Sequence, residues 1–143
     1  MSKDHLRLWL RMLKTTRGVE NELRERLRVN FRTTLPRFDV MAALYRYREG
    51  LRMSDLSREL MVSNGNVTGI VARLAEDGLI THEVNANDRR AKRVRLTEKG
   101  VADFEKQAAA HEGWIAELLG GLDAPDITHL LNALAQKEPD RAN

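Results

Sequence analysis

The chain has 143 residues, 31% of them charged and 5% aromatic, a formal net charge of +3 and no cysteine. Without cysteine there is no disulfide, no thiolate metal site and no thiol-based redox sensor. No apolar run is long enough to span a bilayer and the N-terminus lacks the apolar core of a signal peptide, so we expect a cytoplasmic protein with wide solvated faces.

Two helices are predicted in the first third of the chain. Apolar residues recur at helical spacing from about residue 4 to residue 31, which indicates a long amphipathic helix. Thr34 and Pro36 are typical of the start of a second helix, and we expect Gly50 to end it. Its apolar face is predicted to contain Phe38, Met41, Leu44 and Tyr45.

Two short helices and a hairpin follow. Ser54 is predicted to cap the first helix and Ser63 the second, which covers residues 63–77 and stops at Gly78. Alternating residues predict strands over 80–84 and 92–96. The predicted buried face of the second helix consists of Val67, Ile70, Val71 and Leu74.

Two more helices complete the chain. Thr97 is predicted to cap a long helix, the pair Gly120 and Gly121 to break it, and Asp123 to start the last helix. The predicted buried positions of the long helix are Val101, Phe104, Ala108, Ile115, Leu118 and Leu119. The apolar residues of the last helix are Ile127, Leu130, Leu131 and Leu134. The predicted fold is mainly α with a small β-hairpin, in one domain over residues 1–143.

The second short helix offers small polar residues on the exposed side of its N-terminal half. Asparagine can bond adenine bidentately, and threonine can bond a base edge or meet a thymine methyl group. Glycine lets the backbone approach DNA, and the helix N-terminus favours a phosphate. Taken alone, the same residues could also merely cap and solvate a surface helix. The candidate DNA contacts in this part of the chain are Ser54, Ser63, Asn64, Gly65, Asn66, Thr68, Gly69 and Arg73.

The predicted hairpin tip is strongly basic, since five cations and one acid lie between Asp88 and Arg95. Such a run is usually a solvated turn. Because this run follows a helix-turn-helix, we predict that an arginine enters the minor groove and that its neighbours contact phosphate. The candidates are Arg89, Arg90, Lys92 and Arg93. Asp88 is predicted to pair with Arg90 and stabilise this wing, because DNA would repel its carboxylate.

The order of these elements resembles the MarR family of bacterial transcriptional regulators. The matching segments are 56–60 (LSREL), 67–68 (VT), 73–74 (RL), 77–80 (DGLI), 88–90 (DRR) and 94–100 (VRLTEKG). The resemblance implies a winged helix-turn-helix homodimer that represses transcription from a pseudo-palindromic site on double-stranded DNA, with recognition helices ~34 Å apart. Residues 36–100 would form the DNA-binding lobe, and 1–35 and 101–143 the dimerisation helices. Gly69 departs from many relatives, which carry a larger polar or basic residue there.

Relatives commonly bind small aromatic acids between the dimerisation helices and the DNA-binding lobe. Segments 8–17 and 33–41 look like the subgroup that regulates hydroxycinnamate catabolism, which implies p-coumaroyl-CoA or a related aromatic acyl-CoA as effector. A basic first helix suits a CoA phosphate. The candidate ligand contacts are Arg7, Trp9, Arg11, Leu13, Lys14, Arg17, Met41 and Tyr45. The apolar ones could equally be ordinary core, and the cations could be solvated or contact phosphate.

Other functions fit the sequence less well. An enzyme is not predicted, since no histidine lies beside a plausible nucleophile and no glycine-rich phosphate loop is present, so we assign no catalytic residue and no cofactor. A metal site is not predicted either, because the four histidines lack paired helical spacing with acidic partners. The remaining alternative is a winged-helix module that binds protein, but the exposed apolar patch that it requires is replaced by polar residues on the predicted recognition helix.

Overall fold

The computed structural model describes residues 2–60, 64–85 and 88–137, and the side chains of 64, 65, 84, 85 and 88–91 are outside this description. The described part contains six helices and three strands. In chain order they are α1 (Asp4–Phe31), α2 (Leu35–Arg46), β1 (Leu51–Arg52), α3 (Met53–Leu60), α4 (Asn64–Glu76), β2 (Ile80–Asn85), β3 (Asp88–Leu96), α5 (Glu98–Leu118) and α6 (Ala124–Ala135). The predicted class, mainly α with a small β-structure, is confirmed.

Helix α1 agrees with the predicted range, and it ends where Arg32 adopts a left-handed conformation with φ of 52°. Thr34 caps α2 as predicted, since its Oγ1 accepts a hydrogen bond from the Arg37 amide at 3.2 Å. The prediction that α2 continues to Gly50 is wrong, because the helix ends at Arg46. Gly50 has a φ of 100°, and a Cβ there would lie 3.0 Å from the Val94 carbonyl oxygen. Glycine therefore lets the chain turn and approach β3.

The sheet has three antiparallel strands in the order β1-β3-β2, which corrects the two-stranded prediction. Strand β1 has only two residues, and Leu51 pairs with Val94 in β3. Because β1 runs directly into α3, that helix begins at Met53. Ser54 therefore lies inside the first turn of α3, and its predicted position as N-cap is wrong.

The core lies between the C-terminal half of α1, helices α2, α3, α4 and α5, and the sheet. Its fully buried side chains are Leu27, Val40, Met41, Leu44, Leu56, Val67, Val71, Leu74 and Val94. The predicted faces of α2 and α4 are thus confirmed, with Tyr45 and Ile70 half-buried at their margins. On α5 only Phe104 among the predicted positions is buried, and Leu119 is exposed.

Aromatic rings connect α2 to α5. Phe38 stacks on His111 with a centroid distance of 4.5 Å, and Phe104 lies 5.3 Å from Phe38 and 5.0 Å from Tyr45. Burial lowers the pKa of His111, which favours its neutral form in this contact. Contacts between aromatic rings therefore join α2 to α5.

Helices α1 and α6 carry apolar residues that remain exposed to solvent in the single chain. Leu6, Leu8, Trp9 and Leu10 are all more than half exposed in α1. In α6, which is described over its whole length, none of the 12 residues is buried. The apolar side of α6, which consists of Ile127, Leu130, Leu131 and Leu134, is 42–65% exposed. Within the described ranges, no helix combines the length and apolar character needed to cross a membrane.

Candidate nucleic-acid interface

Helix α4, the predicted recognition helix, is amphipathic in the way that a DNA-reading helix requires. Val67, Val71 and Leu74 face the core, at a spacing that places them on one side of the helix. The solvent side presents four of the predicted DNA contacts, which are Asn66, Thr68, Gly69 and Arg73. The fold therefore brings these residues together on one exposed face.

The start of the helix-turn-helix is only partly described. Ser54 is exposed in the first turn of α3. Residues 61 and 62, the predicted turn, and Ser63, the predicted cap, lie outside the described residues. Asn64 and Gly65 begin α4, but only their backbone is described. Contacts of these residues with DNA stay predictions.

A groove of about 680 Å³ separates α4 from the start of α2. Asn66, Gly69 and Arg73 line it from α4, and Arg37 and Asp39 line it from α2. A Cβ on Gly69 would meet nothing within 4 Å, so an alanine fits there without displacing its neighbours. Burial raises the pKa of Asp39, the nearby Glu20 raises it further, and Arg24 opposes both effects.

The wing is formed by β2 and β3, whose pairing is interrupted by a bulge between Glu83 and Asn85. Lys92 and Arg93 are exposed on β3. Arg95 donates a hydrogen bond through Nη1 to Glu83 Oε1 at 2.8 Å, so its charge is partly compensated within the chain. Arg93 Nη1 donates a hydrogen bond to the Gly50 carbonyl oxygen at 3.4 Å, which leaves its charge uncompensated. Among the described residues, neither Lys92 nor Arg93 forms an ion pair with an acid, so these two are the better placed wing cations for contact with a polyanion.

The tip of the wing carries the remaining predicted contacts. The side chains of Arg89 and Arg90, and with them the expected pair between Asp88 and Arg90, lie outside the described side chains. Their roles in DNA contact and in wing stability stay predictions.

Arg52 is a candidate that sequence reasoning missed. In the sheet it lies directly opposite Arg93. Directly opposed residues of antiparallel strands point to the same side, and like charges in this position destabilise the pairing unless an anion neutralises them. We therefore add Arg52 to the candidate phosphate contacts. The two-residue strand that positions it has no periodicity by which a sequence pattern could reveal it.

The turn after α4 is fastened to the start of α5. Thr97 caps α5 as predicted, because its Oγ1 accepts a hydrogen bond from the Gly100 amide at 3.0 Å. The same hydroxyl donates to the Gly78 carbonyl at 2.7 Å, and the Thr97 amide donates to the Leu79 carbonyl at 3.0 Å. The threonine and glycine of segment 94–100 thus fix the C-terminal end of the recognition helix.

Asp77 ties the same end of α4 to two further groups. Its Oδ2 accepts a hydrogen bond from Arg37 Nη2 at 2.7 Å, and its carbonyl accepts one from Lys99 Nζ at 3.1 Å. The recognition helix is therefore held at this end by α2 and α5 together.

The predicted effector contacts do not come together within one chain. Trp9, Arg7, Arg11, Lys14 and Arg17 are exposed on the N-terminal half of α1, where Leu13 is half-buried. Met41 is enclosed in the core and Tyr45 packs on Phe104. A ligand site made of these residues would need a second subunit, so the site stays a prediction. Among the described residues, no three His, Cys, Asp or Glu side chains are grouped as metal ligands.

Comparison with known proteins identifies the family. A family model described as MarR family matches residues 33–91. A MarR family transcriptional regulator from Silicibacter pomeroyi is 35% identical, and the match covers 94% of this chain and 93% of that chain with a TM-score of 0.77. The chain belongs to the MarR family. The resemblance seen in the wing and in segment 94–100 is thereby confirmed.

Two other relatives extend the comparison. The crystal structure of a mutant MarR from E. coli complexed with operator DNA shares the fold with a TM-score of 0.81 and 23% identity, covering 96% of this chain and 97% of that chain. The transcriptional activatory protein BadR from Rhodopseudomonas palustris is 34% identical over 104 residues, or 71% of this chain. The match spans only 59% of the length of BadR. The Silicibacter pomeroyi protein is named as a transcriptional regulator and BadR as a transcriptional activatory protein.

Proposed function

We propose that the chain is a cytoplasmic homodimeric repressor that binds a pseudo-palindromic operator on double-stranded DNA and is released by a small aromatic anion or an aromatic acyl-CoA thioester. The observation that carries DNA binding is the solvent face of α4, where Asn66, Thr68 and Arg73 are exposed while its other face is buried. Polar side chains in this position suit the edges of bases in the major groove. They do not suit the apolar docking of a protein partner, which was the alternative.

The homodimer is supported by the open apolar sides of α1 and α6. Monomeric soluble proteins rarely leave such contiguous apolar surface exposed. A second copy that intertwines these helices would cover both surfaces by two-fold symmetry. Such symmetry would present two recognition helices to successive major grooves, ~34 Å apart.

The effector proposal names p-coumaroyl-CoA or a related aromatic acyl-CoA. Its support is the group of four exposed cations on α1, which are Arg7, Arg11, Lys14 and Arg17. Cations of this kind form charge-assisted hydrogen bonds with the phosphates of CoA. In the proposed homodimer, α1 of one subunit would lie beside the DNA-binding lobe (residues 36–100) of the other subunit and would bring these four cations close to it.

The experiment that tests the proposal is a mobility shift on the DNA just upstream of the protein's own gene, with and without p-coumaroyl-CoA and free p-coumarate. A shift that the thioester alone releases supports the full proposal. Release by free p-coumarate would replace the thioester with a small aromatic acid, and release by neither would overturn the effector proposal. Absence of a shift at low salt would overturn DNA binding at this site.

The sign of regulation is tested by transcription in vitro from the bound promoter. We expect fewer transcripts when the protein is added, because a dimer on the promoter competes with polymerase. An increase in transcripts would overturn repression in favour of activation. BadR is named as an activatory protein.

Substitutions in α4 and in the wing are expected to have different effects on DNA binding. Asn66→Ala removes a base contact, so specific binding should weaken by about 1–3 kcal/mol and sequence preference should relax. Lys92→Gln removes a phosphate contact, so binding to all sequences should weaken and the salt slope should fall by about 1. Titration of both variants against operator and unrelated duplexes at several salt concentrations measures this. Identical profiles for the two variants would contradict the division of roles.

A further inference from the structure

We propose that Arg37 is a positioning residue, whose ion pair with Asp77 sets the placement of the recognition helix on DNA. The inference rests on the DNA binding proposed above. Arg37 Nη2 lies 2.7 Å from Asp77 Oδ2, so the pair joins the start of α2 to the end of α4. No DNA contact is assigned to either residue.

Both residues lie at helix ends where their charge is unfavourable. Arg37 is in the first turn of α2, three residues after the cap Thr34, where the helix N-terminus carries partial positive charge and favours acids. Asp77 directly follows Glu76, the last residue of α4, where the partial charge is negative. Each residue is therefore disfavoured by its own helix, and local helix stability does not explain their presence.

The surroundings of the guanidinium lead to the same conclusion. The Arg37 side chain is only 22% exposed, compared with 53% for Asp77. Its Nε is buried and finds no hydrogen-bond partner among the described atoms. A buried donor without a partner destabilises the folded state. Arg37 is thus present although it destabilises the fold locally. What its side chain provides is a fixed link between α2 and α4.

The groove beside the pair shows why such a link matters. The groove of about 680 Å³ lies between side chains of α2 and α4. Because these side chains are not in close contact along the groove, packing does not fix the distance between the two helices on this side. Arg37 lines this groove and reaches the α4 end through Asp77. Lys99 holds the carbonyl of the same residue from α5. Loss of the ion pair would remove the link from α2 and leave this end of α4 attached through α5 alone. A small tilt of α4 about its buried side would then shift Asn66 and Arg73 relative to the bases.

A direct phosphate contact by Arg37 makes the opposite prediction for its partner. If Arg37 bound DNA, removing the Asp77 carboxylate would leave DNA affinity unchanged or raise it, since an acid repels phosphate. If Arg37 positions α4, the same removal should weaken binding. Asp77→Asn therefore separates the two roles.

The test compares Arg37→Gln, Asp77→Asn and the charge-swapped double variant Arg37→Asp/Asp77→Arg in full-length protein. Dissociation constants are measured for the operator and for an unrelated duplex, and thermal unfolding is recorded alongside. Each single variant should bind the operator roughly 3- to 30-fold more weakly. Asp77→Asn should leave the unrelated duplex nearly unaffected. The swapped variant should recover operator affinity, because it restores the link and also places both charges at helix ends that favour them.

Glu117→Gln is the matched control. The ion pair of Arg26 with Glu117 measures 2.8 Å and has similar exposure, 23% and 67%, but it joins α1 to α5. This variant should bind the operator as the native protein does. Unchanged operator affinity in both single variants, failure of the swap to restore it, or tighter binding by Asp77→Asn would overturn the role of Arg37. Native protein that does not prefer the operator would overturn the proposed function instead, and the inference with it.

Discussion

Replacing Leu130 and Leu134 by glutamate is expected to convert the proposed homodimer into monomers and to abolish operator binding at concentrations that saturate the native protein. The two leucines lie on the apolar side of α6 and are 47% and 42% exposed in the single chain. Full burial of a leucine contributes about 1.5–3 kcal/mol, so four half-covered leucines in a dimer contribute roughly 3–6 kcal/mol. The introduced carboxylates would add an uncompensated desolvation penalty. The dissociation constant of the dimer should rise by at least about 100-fold.

Sedimentation velocity over a concentration series measures the dimer, and a mobility shift measures the operator complex. Asn132→Glu is the control, because Asn132 lies on the opposite side of α6 and is already polar and exposed. It should remain dimeric. A double variant that sediments as the native dimer, or a control that dissociates equally, would contradict the assignment of this surface to the dimer interface.

Gly100→Ala is expected to lower the free energy of unfolding by about 3 kcal/mol, at the upper end of the usual effect of overpacking. A Cβ at this position would lie 2.1 Å from the Leu79 carbonyl oxygen. That oxygen accepts the Thr97 amide at 3.0 Å, so the backbone cannot retreat without breaking the link between α5 and the turn after α4. The clash outweighs the gain of ~1 kcal/mol that alanine normally brings to a helix.

Urea unfolding curves at one protein concentration measure the loss. Gly69→Ala serves as control, because this helical glycine has nothing within 4 Å of a built Cβ and should be neutral or slightly stabilising. Midpoints that shift equally in both variants would show that the approach of α5 to Leu79 is not what requires glycine.

Local signals in the sequence were sufficient for most helices and for three of their N-caps, but not for the cap of α3 or for the end of α2. Thr34, Thr97 and Asp123 each accept the expected backbone hydrogen bond, and Gly78 has a left-handed φ of 76°. The buried face of α4 followed from the spacing of its apolar residues. These features depend on interactions within about four residues, where side-chain chemistry and helix geometry leave little choice.

Features that depend on distant parts of the chain could not be predicted in this way. Strand β1 exists because Leu51 pairs with Val94, 43 positions later (94 − 51), and two residues carry no pattern of their own. The ion pair of Arg37 with Asp77 likewise joins residues 40 positions apart. The error at Leu119 has another origin, since an apolar residue can be reserved for a second subunit, and periodicity does not distinguish the two cases.

If the proposed homodimer forms through α6, the absence of any buried residue from this helix in the single chain also bears on how long the protein survives in a cell. An isolated helix of about 12 residues is marginal in water, so α6 should be stably helical only when a second subunit covers it. A newly made subunit without a partner would therefore present a frayed apolar end to proteases and chaperones. Turnover should then be fast below the concentration at which subunits pair and slow above it, which would give the amount of active regulator a sharp lower threshold.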